Sequence, residues 1–442
     1  MYYSVGHHPD GPLELRGTSF LAKTIKMADT SLEKAPMVHL ERIRVTNFKC
    51  WEEVQLETKP LTVLIGPNGS GKSSILQALV LLKRFITTPS ALSLDTLGDL
   101  TYADYFNLGR FEELVHKHER ARDIGVGIEV RDNNYAVSYS VAFGEKRCQA
   151  RLTSKDVKID LLVEFSIPYP LNATSSRRVE VEKGQAYNLI WNGISASVQH
   201  VAPQPPPSKE LIDLLGAHLR LLRGTYFIHP RHFFRSWMYP FTTSIDYSKP
   251  FITDQELANI MALNSDVEEK VARWCEEVSE VEIISKSIPP HFAVRVEARW
   301  GKFRVPLALE GAGLNRLAYI LTSLAVPETK LLLVEEPETH LHPRLLFNLG
   351  RRLPRILREE GKQMLITMHS EHLILALLTG VAEGSVKRDD FAVYYFEREG
   401  PVAKARKLEV NEKGQVEGGP PGFFEVDWET TEAYLRALAK GS

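Results

Sequence analysis

The amino-acid sequence predicts an α/β fold built on a parallel sheet and assembled from two stretches of chain far apart in order. Three observations predict it. Leu61 to Ile65 and Leu331 to Val334 are short, continuous apolar runs, the pattern of strands buried on both faces of a parallel sheet. The first runs into Gly66-Pro67-Asn68-Gly69-Ser70-Gly71-Lys72-Ser73 and then a helical pattern, and the second into Glu335-Glu336-Pro337-Glu338. Between them the chain changes character, and residues 121–200 read mostly as alternating strands.

Taken in order, residues 38–48 alternate as a half-buried strand, and Ser73 to Phe85 has helical spacing through Ile75, Leu76, Leu79 and Leu82. Strand-like alternation returns in 124–130, 136–143 and 158–166. Ala202 to Pro207 carries four prolines, which stiffen the backbone and break helices. Helical spacing follows in Glu210 to Leu222 and in Asp254 to Val278, then strand-like stretches at 292–298 and 303–309. From Leu314 the pattern is again helix (to Leu324), strand (331–334), basic helix (Arg344 to Arg358), strand (364–366) and helix (Glu371 to Ala382). No internal repeat is visible. The expected organisation is an N-terminal extension, 1–36, of flexible character. A head split between 37–90 and 300–400 follows, with an inserted region at 91–299 and a C-terminal extension at 401–442. The insert divides into a strand-rich part (121–200), a proline linker (202–207) and a helical part (208–281).

Composition narrows the function. The 442 residues hold 54 Lys+Arg against 56 Asp+Glu, a net charge of −2, so no global electrostatic case exists for nucleic-acid binding. Cys50, Cys148 and Cys275 are scattered, with neither metal-ligand spacing nor a disulfide framework. No apolar run reaches the roughly 18–20 residues of a membrane-spanning helix, and the N-terminus lacks a secretory pattern. The expectation is a soluble, cytoplasmic protein without a membrane partner.

Three strand ends carry chemistry. Gly66 to Ser73 matches G-x-x-x-x-G-K-[ST] between a strand and a helix, where glycines let backbone N–H groups form an anion nest at a helix N-terminus. The pattern makes Asn68, Gly69, Ser70, Gly71, Lys72, Ser73 and Ser74 candidates for nucleotide binding. Lys72 then reaches the β- and γ-phosphates, and Ser73 ligates Mg²⁺. Glu335 and Glu336 close a buried strand at its carboxyl end, where open α/β sheets bind ligands. Glu335 is assigned to the metal with Ser73, and Glu336 to activating water, while Glu338 either joins them or caps the next helix. His369 ends the strand Leu365-Ile366-Thr367-Met368, placed to sense the γ-phosphate or the attacking water. His340 and His342 form an isolated H-x-H without further ligands nearby, which does not make a zinc site. Gly311 and Gly313 open another helix, and a second phosphate-binding tip implies use on nucleotide held by a partner copy.

Together these residues resemble the ABC-type, non-transporter ATPases of the AAA family, a group that includes the SMC and RecF-like repair ATPases and the overcoming-lysogenization-defect (OLD) family. The opening HLERIRVTNFKCWEEVQLETKPLTVLIGPNGSGKSSILQAL and the segment LLLVEEPETHLHP carry the likeness, the latter closest to OLD-like ATPases. FAVYYF, LEVNEKGQVEG and PGFFEVD near the end resemble the C-terminal domain of unknown function of a stand-alone ATPase family. The resemblance implies a P-loop NTPase head of ABC-ATPase type with a large inserted middle domain. It makes Lys72 and Ser73 the Walker A pair, Glu335 and Glu336 the Walker B pair, and His369 the switch histidine. ATP and Mg²⁺ are the implied cofactors. The implied assembly is a homodimer or higher even oligomer closed over ATP, beside a separate effector such as a nuclease in anti-phage defence. The chain departs from the pattern in its signature loop, EGAGLN, where Asn315 is the candidate for contact in trans. It also lacks a recognisable Q-loop glutamine, for which Asn107 is the candidate substitute. Only 73 residues follow His369, too few for the rest of the sheet plus the Toprim domain of OLD nucleases, so the expectation is no nuclease activity in this chain.

A second reading is a DNA-binding repair or maintenance ATPase that clamps DNA in its ATP-bound dimer. It rests on two basic stretches. The first sets Arg220, Arg223, His229, Arg231, His232 and Arg235 among Tyr226, Phe227, Phe233, Phe234 and Trp237; the second is Arg344, Arg351, Arg352, Arg355 and Arg358. A transporter-energising subunit conflicts with the long middle region and the acidic strand end.

Overall fold

The computed structural model describes residues 38–97, 108–132, 135–170, 173–181, 185–199, 206–288 and 292–417. The expectations for 1–36, for Asn107, for most of the proline linker and for PGFFEVD lie outside these residues.

The site is positioned by a seven-stranded sheet of order β11-β16-β17-β3-β18-β19-β20. Its parallel part comprises β3 (Leu61–Ile65), β11 (Thr225–Ile228), β16 (Leu331–Glu335), β17 (Gln363–Met368) and β18 (Phe391–Glu399). β19 (Val402–Val410) and β20 (Val416–Glu417) continue it antiparallel. Every residue of β3, β16 and β17 is buried. The reason is visible in the two cores. Leu64, Leu331 and Leu333 pack on one side of the sheet, whereas Val63, Leu332 and Val334 pack on the other. Strands covered on both faces have no polar face to present, hence the unbroken apolar runs.

A second, antiparallel sheet has the order β2-β1-β4-β5-β6-β7. It is built from β1 (Val38–Phe48), β2 (Trp51–Glu57), β4 (Ile124–Asp132), β5 (Tyr135–Phe143), β6 (Cys148–Ser154) and β7 (Ile159–Phe165). Inward residues alternate with outward ones, as in Ile124, Val126, Ile128 and Val130 of β4. Two smaller sheets complete the strands. One is β8 (Ser175–Val181), β9 (Gln185–Trp191) and β10 (Ala196–Gln199); the other is β12 (Tyr239–Pro240), β13 (Glu282–Ile288), β14 (Ala293–Trp300) and β15 (Phe303–Pro306).

The helices follow the sequence pattern with one exception. α1 (Lys72–Thr87) rises from the phosphate loop, a single turn α2 (Phe111–Leu114) follows, and α3 (Lys209–Arg223) leads into β11. The spacing of 254–278 predicts one helix, but two form, α4 (Asp254–Leu263) and α5 (Ser265–Ser279). Asn264 breaks it: its backbone is extended, and its side chain accepts the N–H groups of Asp266 and Val267 as an N-cap. α6 (Ala312–Ala325), α7 (Pro343–Glu360) and α8 (His372–Ala382) match expectation.

The boundaries of the expected insert do not match the structure. β4 pairs with β1 from Val38↔Asp132 to Thr46↔Gly125, so the strand-rich middle is part of the same sheet as the N-terminal strand. β11 is the edge of the central sheet, with Thr225 to Ile228 set against Leu331 to Val334. Residues 402–410 likewise belong to that sheet, paired with β18, and are no appendage. Linear order misled because the chain leaves the central sheet after β3 and re-enters it at β11, β16 and β17. Among the described residues no helix is long and apolar enough to cross a membrane.

Candidate nucleotide site

The phosphate loop hangs between β3 and α1. Gly66 has φ 151°, and a Cβ there would fall 2.1 Å from the Phe396 carbonyl oxygen of β18. Gly71, the residue before α1, has φ 95°, and a Cβ would lie 2.6 Å from Cys50 Sγ. Both positions therefore demand glycine. The Trp51 indole N–H donates to the Gly71 carbonyl at 3.1 Å, fixing the loop to the antiparallel sheet. Lys72 is buried, and its ammonium donates to the carbonyls of Gly66 (2.7 Å) and Pro67 (2.9 Å). Burial draws its pKa down to about 8, opposed by the charges of Glu336 and Glu338.

The parallel register brings the three strand ends to one edge, since Glu335 lies opposite Thr367 and Met368 opposite Ile65. The Glu335 carboxyl is buried and pushed upward in pKa mainly by that burial, against the pull of the Ser73 hydroxyl beside it. Glu335 Oε1 is buried without a protein partner, an orphan acceptor beside a hydroxyl. That donor pair suits a hard divalent cation such as Mg²⁺, which Ser73 and Glu335 would hold. Glu336 adopts φ 44°, a left-handed conformation uncommon for a non-glycine residue and frequent at functional sites. Its N–H bonds the Thr367 carbonyl at 2.9 Å and Thr339 Oγ1 donates to its Oε2 at 3.3 Å. His369 Nε2 stands 3.6 Å from Glu336 Oε1. Burial, and next the Lys72 charge, lower the His369 pKa against the pull of Glu336, which favours the neutral ring. Glu338 is tied down differently. It accepts the His369 N–H at 2.5 Å, linking the acidic turn to the histidine loop instead of capping α7. That cap is His342, whose Nδ1 accepts the Arg344 N–H at 3.2 Å. Among the described residues no His/Cys/Asp/Glu group could hold a metal by itself.

Asn68 to Ser74, Glu336 and His369 line one cleft of about 610 Å³. Lys49, Cys50, Lys117, His118 and Arg398 also line it, and sequence reasoning missed them. Lys49, Lys117 and His118 all have positive φ (53°, 55° and 59°). Their segments are clamped together by Lys49 N–H to Leu114 O (2.6 Å) and by a hydrogen bond between His116 Nδ1 and Lys49 O (2.8 Å). Only the placement of Lys49 directly after the strand Val38–Phe48 could have signalled them.

The second glycine-led helix lies elsewhere. Gly311 and Ala312 at the start of α6 are exposed and do not line the cleft. Gly313 abuts the turn after β16, where a Cβ would fall 2.6 Å from the His340 carbonyl oxygen. The expectation for Asn315 needs correction. Its amide is buried and spent on Phe234 N–H (2.8 Å), Phe234 O (2.9 Å) and Leu307 O (3.1 Å), so it is a framework residue with no group to offer a partner. Next to it, fully buried Arg316 donates to the carbonyls of His229 (2.6 Å), His232 (3.3 Å) and Glu335 (2.8 Å). It binds the start of α6 to the acidic strand end.

The arginine stretches are largely engaged. Arg220 pairs with Asp132, Arg235 with Asp254, Arg351 with Glu383, Arg355 with Glu277 and Arg358 with Asp390. Tyr226, Phe227 and Phe234 are core residues.

A phosphate loop, an acidic strand end and a histidine strand end on one edge of a mixed sheet define a P-loop ATPase. The chain belongs to the AAA ATPase domain family, whose profile matches residues 39–188 and 244–374, more than half of its length. Residues 386–430 match a protein family of unknown function, DUF3696. An OLD nuclease of Thermus scotoductus is 49% identical over 43 residues, 10% of this chain and 8% of that protein. The DNA replication and repair protein RecF of Corynebacterium jeikeium is 40% identical over 43 residues, 10% of each chain. The chain thus matches about a tenth of the length of these relatives. Among solved structures, the SMC head domain of Thermotoga maritima aligns with 84% of this chain and 100% of its own, at 14% identity and TM-score 0.43. The Smc head of Pyrococcus furiosus, bound to the C-terminal domain of ScpA, aligns with 84% of this chain and 97% of its own, at 12% identity and TM-score 0.46.

Proposed function

We propose that this ATPase is a Mg²⁺-dependent, ATP-gated switch in which two copies close over ATP and signal to a separate effector, with a nuclease of anti-phage defence as the candidate effector. The observation that carries the reading is the division of the site. The phosphate loop, Glu336 and His369 line one cleft, with Glu335 buried beside Ser73, whereas Gly311 and Ala312 at the start of α6 are exposed and do not line it. A helix N-terminus with two glycines suits phosphate, and a second copy supplies the phosphate it faces.

In this mechanism the backbone N–H groups of Gly69 to Ser73 and the Lys72 ammonium hold the β- and γ-phosphates. Ser73 and Glu335 would hold Mg²⁺, which would neutralise phosphate charge there. Glu336 accepts a proton from the attacking water, and neutral His369 holds Glu336 or that water in line. The α6 N-terminus of the other copy stabilises charge on the γ-phosphoryl oxygens through its N–H groups. Catalysis is then positioning and electrostatics, and hydrolysis removes the ligand that joins the two copies.

The test is sedimentation velocity of Glu336→Gln protein with and without Mg²⁺-ATP. The reading expects a monomer that becomes a dimer with ATP and reverts when ATP is withdrawn. A monomer at saturating ATP contradicts it. Co-purification with the product of the neighbouring gene, strengthened or lost with ATP, tests the effector.

A further inference from the structure

Arg398 brings a cation to the nucleotide cleft from the C-terminal part of the chain. It lies near the end of β18, which turns into β19 through Gly400-Pro401, with Glu399 opposite Val402 and Gly400 at φ 61°. These residues fall within 386–430, the stretch that matches a family of unknown function. The hairpin is fixed beside the phosphate loop. β18 pairs with β3 as far as Tyr395↔Ile65, and the Ala403 N–H donates to the Cys50 carbonyl at 2.9 Å. Arg398 Nε donates to the Gly400 carbonyl at 2.9 Å and Nη1 to the Gly69 carbonyl at 3.3 Å, which holds the guanidinium at the lip of the cleft it lines. Its charge is felt at Cys50, where burial raises the thiol pKa and Arg398 is foremost among the influences opposing that rise. Lys72 faces the charges of Glu336 and Glu338. Arg398, by contrast, is exposed, and among the described residues it has neither a carboxylate within ion-pair distance nor an acceptor for its Nη2. A fixed guanidinium with an unused N–H edge is a receptor for an anionic oxygen.

The order of the sheet decides which oxygens those are. β3 lies between β17 and β18. Glu336 follows β16 and His369 follows β17, so both stand on one flank of the phosphate loop and Arg398 on the other. The γ-phosphoryl group that reacts belongs on the Glu336 flank, which leaves the Arg398 flank to the phosphates that remain on the product. We propose that Arg398 binds the α- and β-phosphates of the nucleotide through its Nη2 edge, so that the C-terminal segment of unknown function completes the nucleotide site. This role needs one copy of the chain only, and it is independent of the two-copy reading.

The experiment measures binding of Mg²⁺-ATP, Mg²⁺-ADP and inorganic tripolyphosphate to the full chain and to its Arg398→Gln and Arg398→Lys variants, at two salt concentrations. Arg398→Gln should weaken all three ligands by about tenfold, keep the ratio of ATP to ADP affinity, and reduce the salt dependence of binding. Arg398→Lys keeps the charge and should recover much of the loss. A residue that only braced the loop through Gly69 and Gly400 would leave the salt dependence in place, and that result overturns the proposal. So does ATP affinity of Arg398→Gln within about twofold of the parent. A loss confined to ATP would place the contact at the γ-phosphate, and undiminished tripolyphosphate binding would place it at the base or ribose; either overturns the assignment. An unchanged urea midpoint in both variants separates lost binding from lost fold. If the parent chain binds none of the three ligands, the nucleotide site itself is refuted and the proposal falls with it.

Discussion

Burial holds Lys72 and Glu335 away from their ordinary ionisation, in opposite directions, and each waits for an opposite charge to restore it. For Lys72 this gives a pH signature. Nucleotide phosphate needs the ammonium form, and the free protein loses that proton near pH 8 instead of near 10.5. Below that pH affinity should be flat, and above it binding must take up a proton, so affinity should fall by up to about tenfold per pH unit. Titration calorimetry across the range checks this, and Lys72→Met should remove both most of the affinity and its pH dependence. At Gly66 the prediction concerns stability. Alanine there meets the Phe396 carbonyl and an adverse φ, and should cost about 2–4 kcal/mol in urea unfolding. Glu336→Gln should lower turnover by about 10² to 10⁴ while ATP binding persists, measured by phosphate release and equilibrium dialysis.

At the scale of elements, Arg316 joins α6 to both β16 and the segment after β11 through three carbonyls. Arg316→Gln leaves those acceptors short of donors in the interior and should destabilise the fold by about 2–4 kcal/mol, read as a lower urea midpoint. Elements of this kind were unevenly legible. β3, β16 and β17 were plain because strands buried on both faces must be apolar throughout. β11 was hidden: four residues, Thr225 to Ile228, sit in a basic-aromatic stretch with no alternation to mark a strand. The α4–α5 break was also missed, because Asn264 is a cap only through its side-chain geometry, which a periodicity search does not see. The motif residues of the cleft were legible because each lies at a strand end. Lys49, Lys117, His118 and Arg398 were not, because they reach the cleft through turns and long-range pairing that no local pattern encodes.

For the whole molecule, the order of the chain and the order of the sheet differ, and the difference matters for function. The middle that reads as an insert supplies four strands of the sheet containing β1 and the edge strand beside β16. The wall of the nucleotide cleft thus comes from the middle, at Lys117 and His118, as well as from the two α/β stretches. One part of the expected site stays apart: Gly311 and the start of α6 do not line that cleft. The central claim is that an active site is completed by two copies. Steady-state ATP turnover per protomer, followed over a wide dilution series, tests it most directly. The account predicts activity per protomer that rises with protein concentration to a plateau and is abolished throughout by Glu336→Gln. Turnover per protomer that is constant from the most dilute sample to the most concentrated would contradict it.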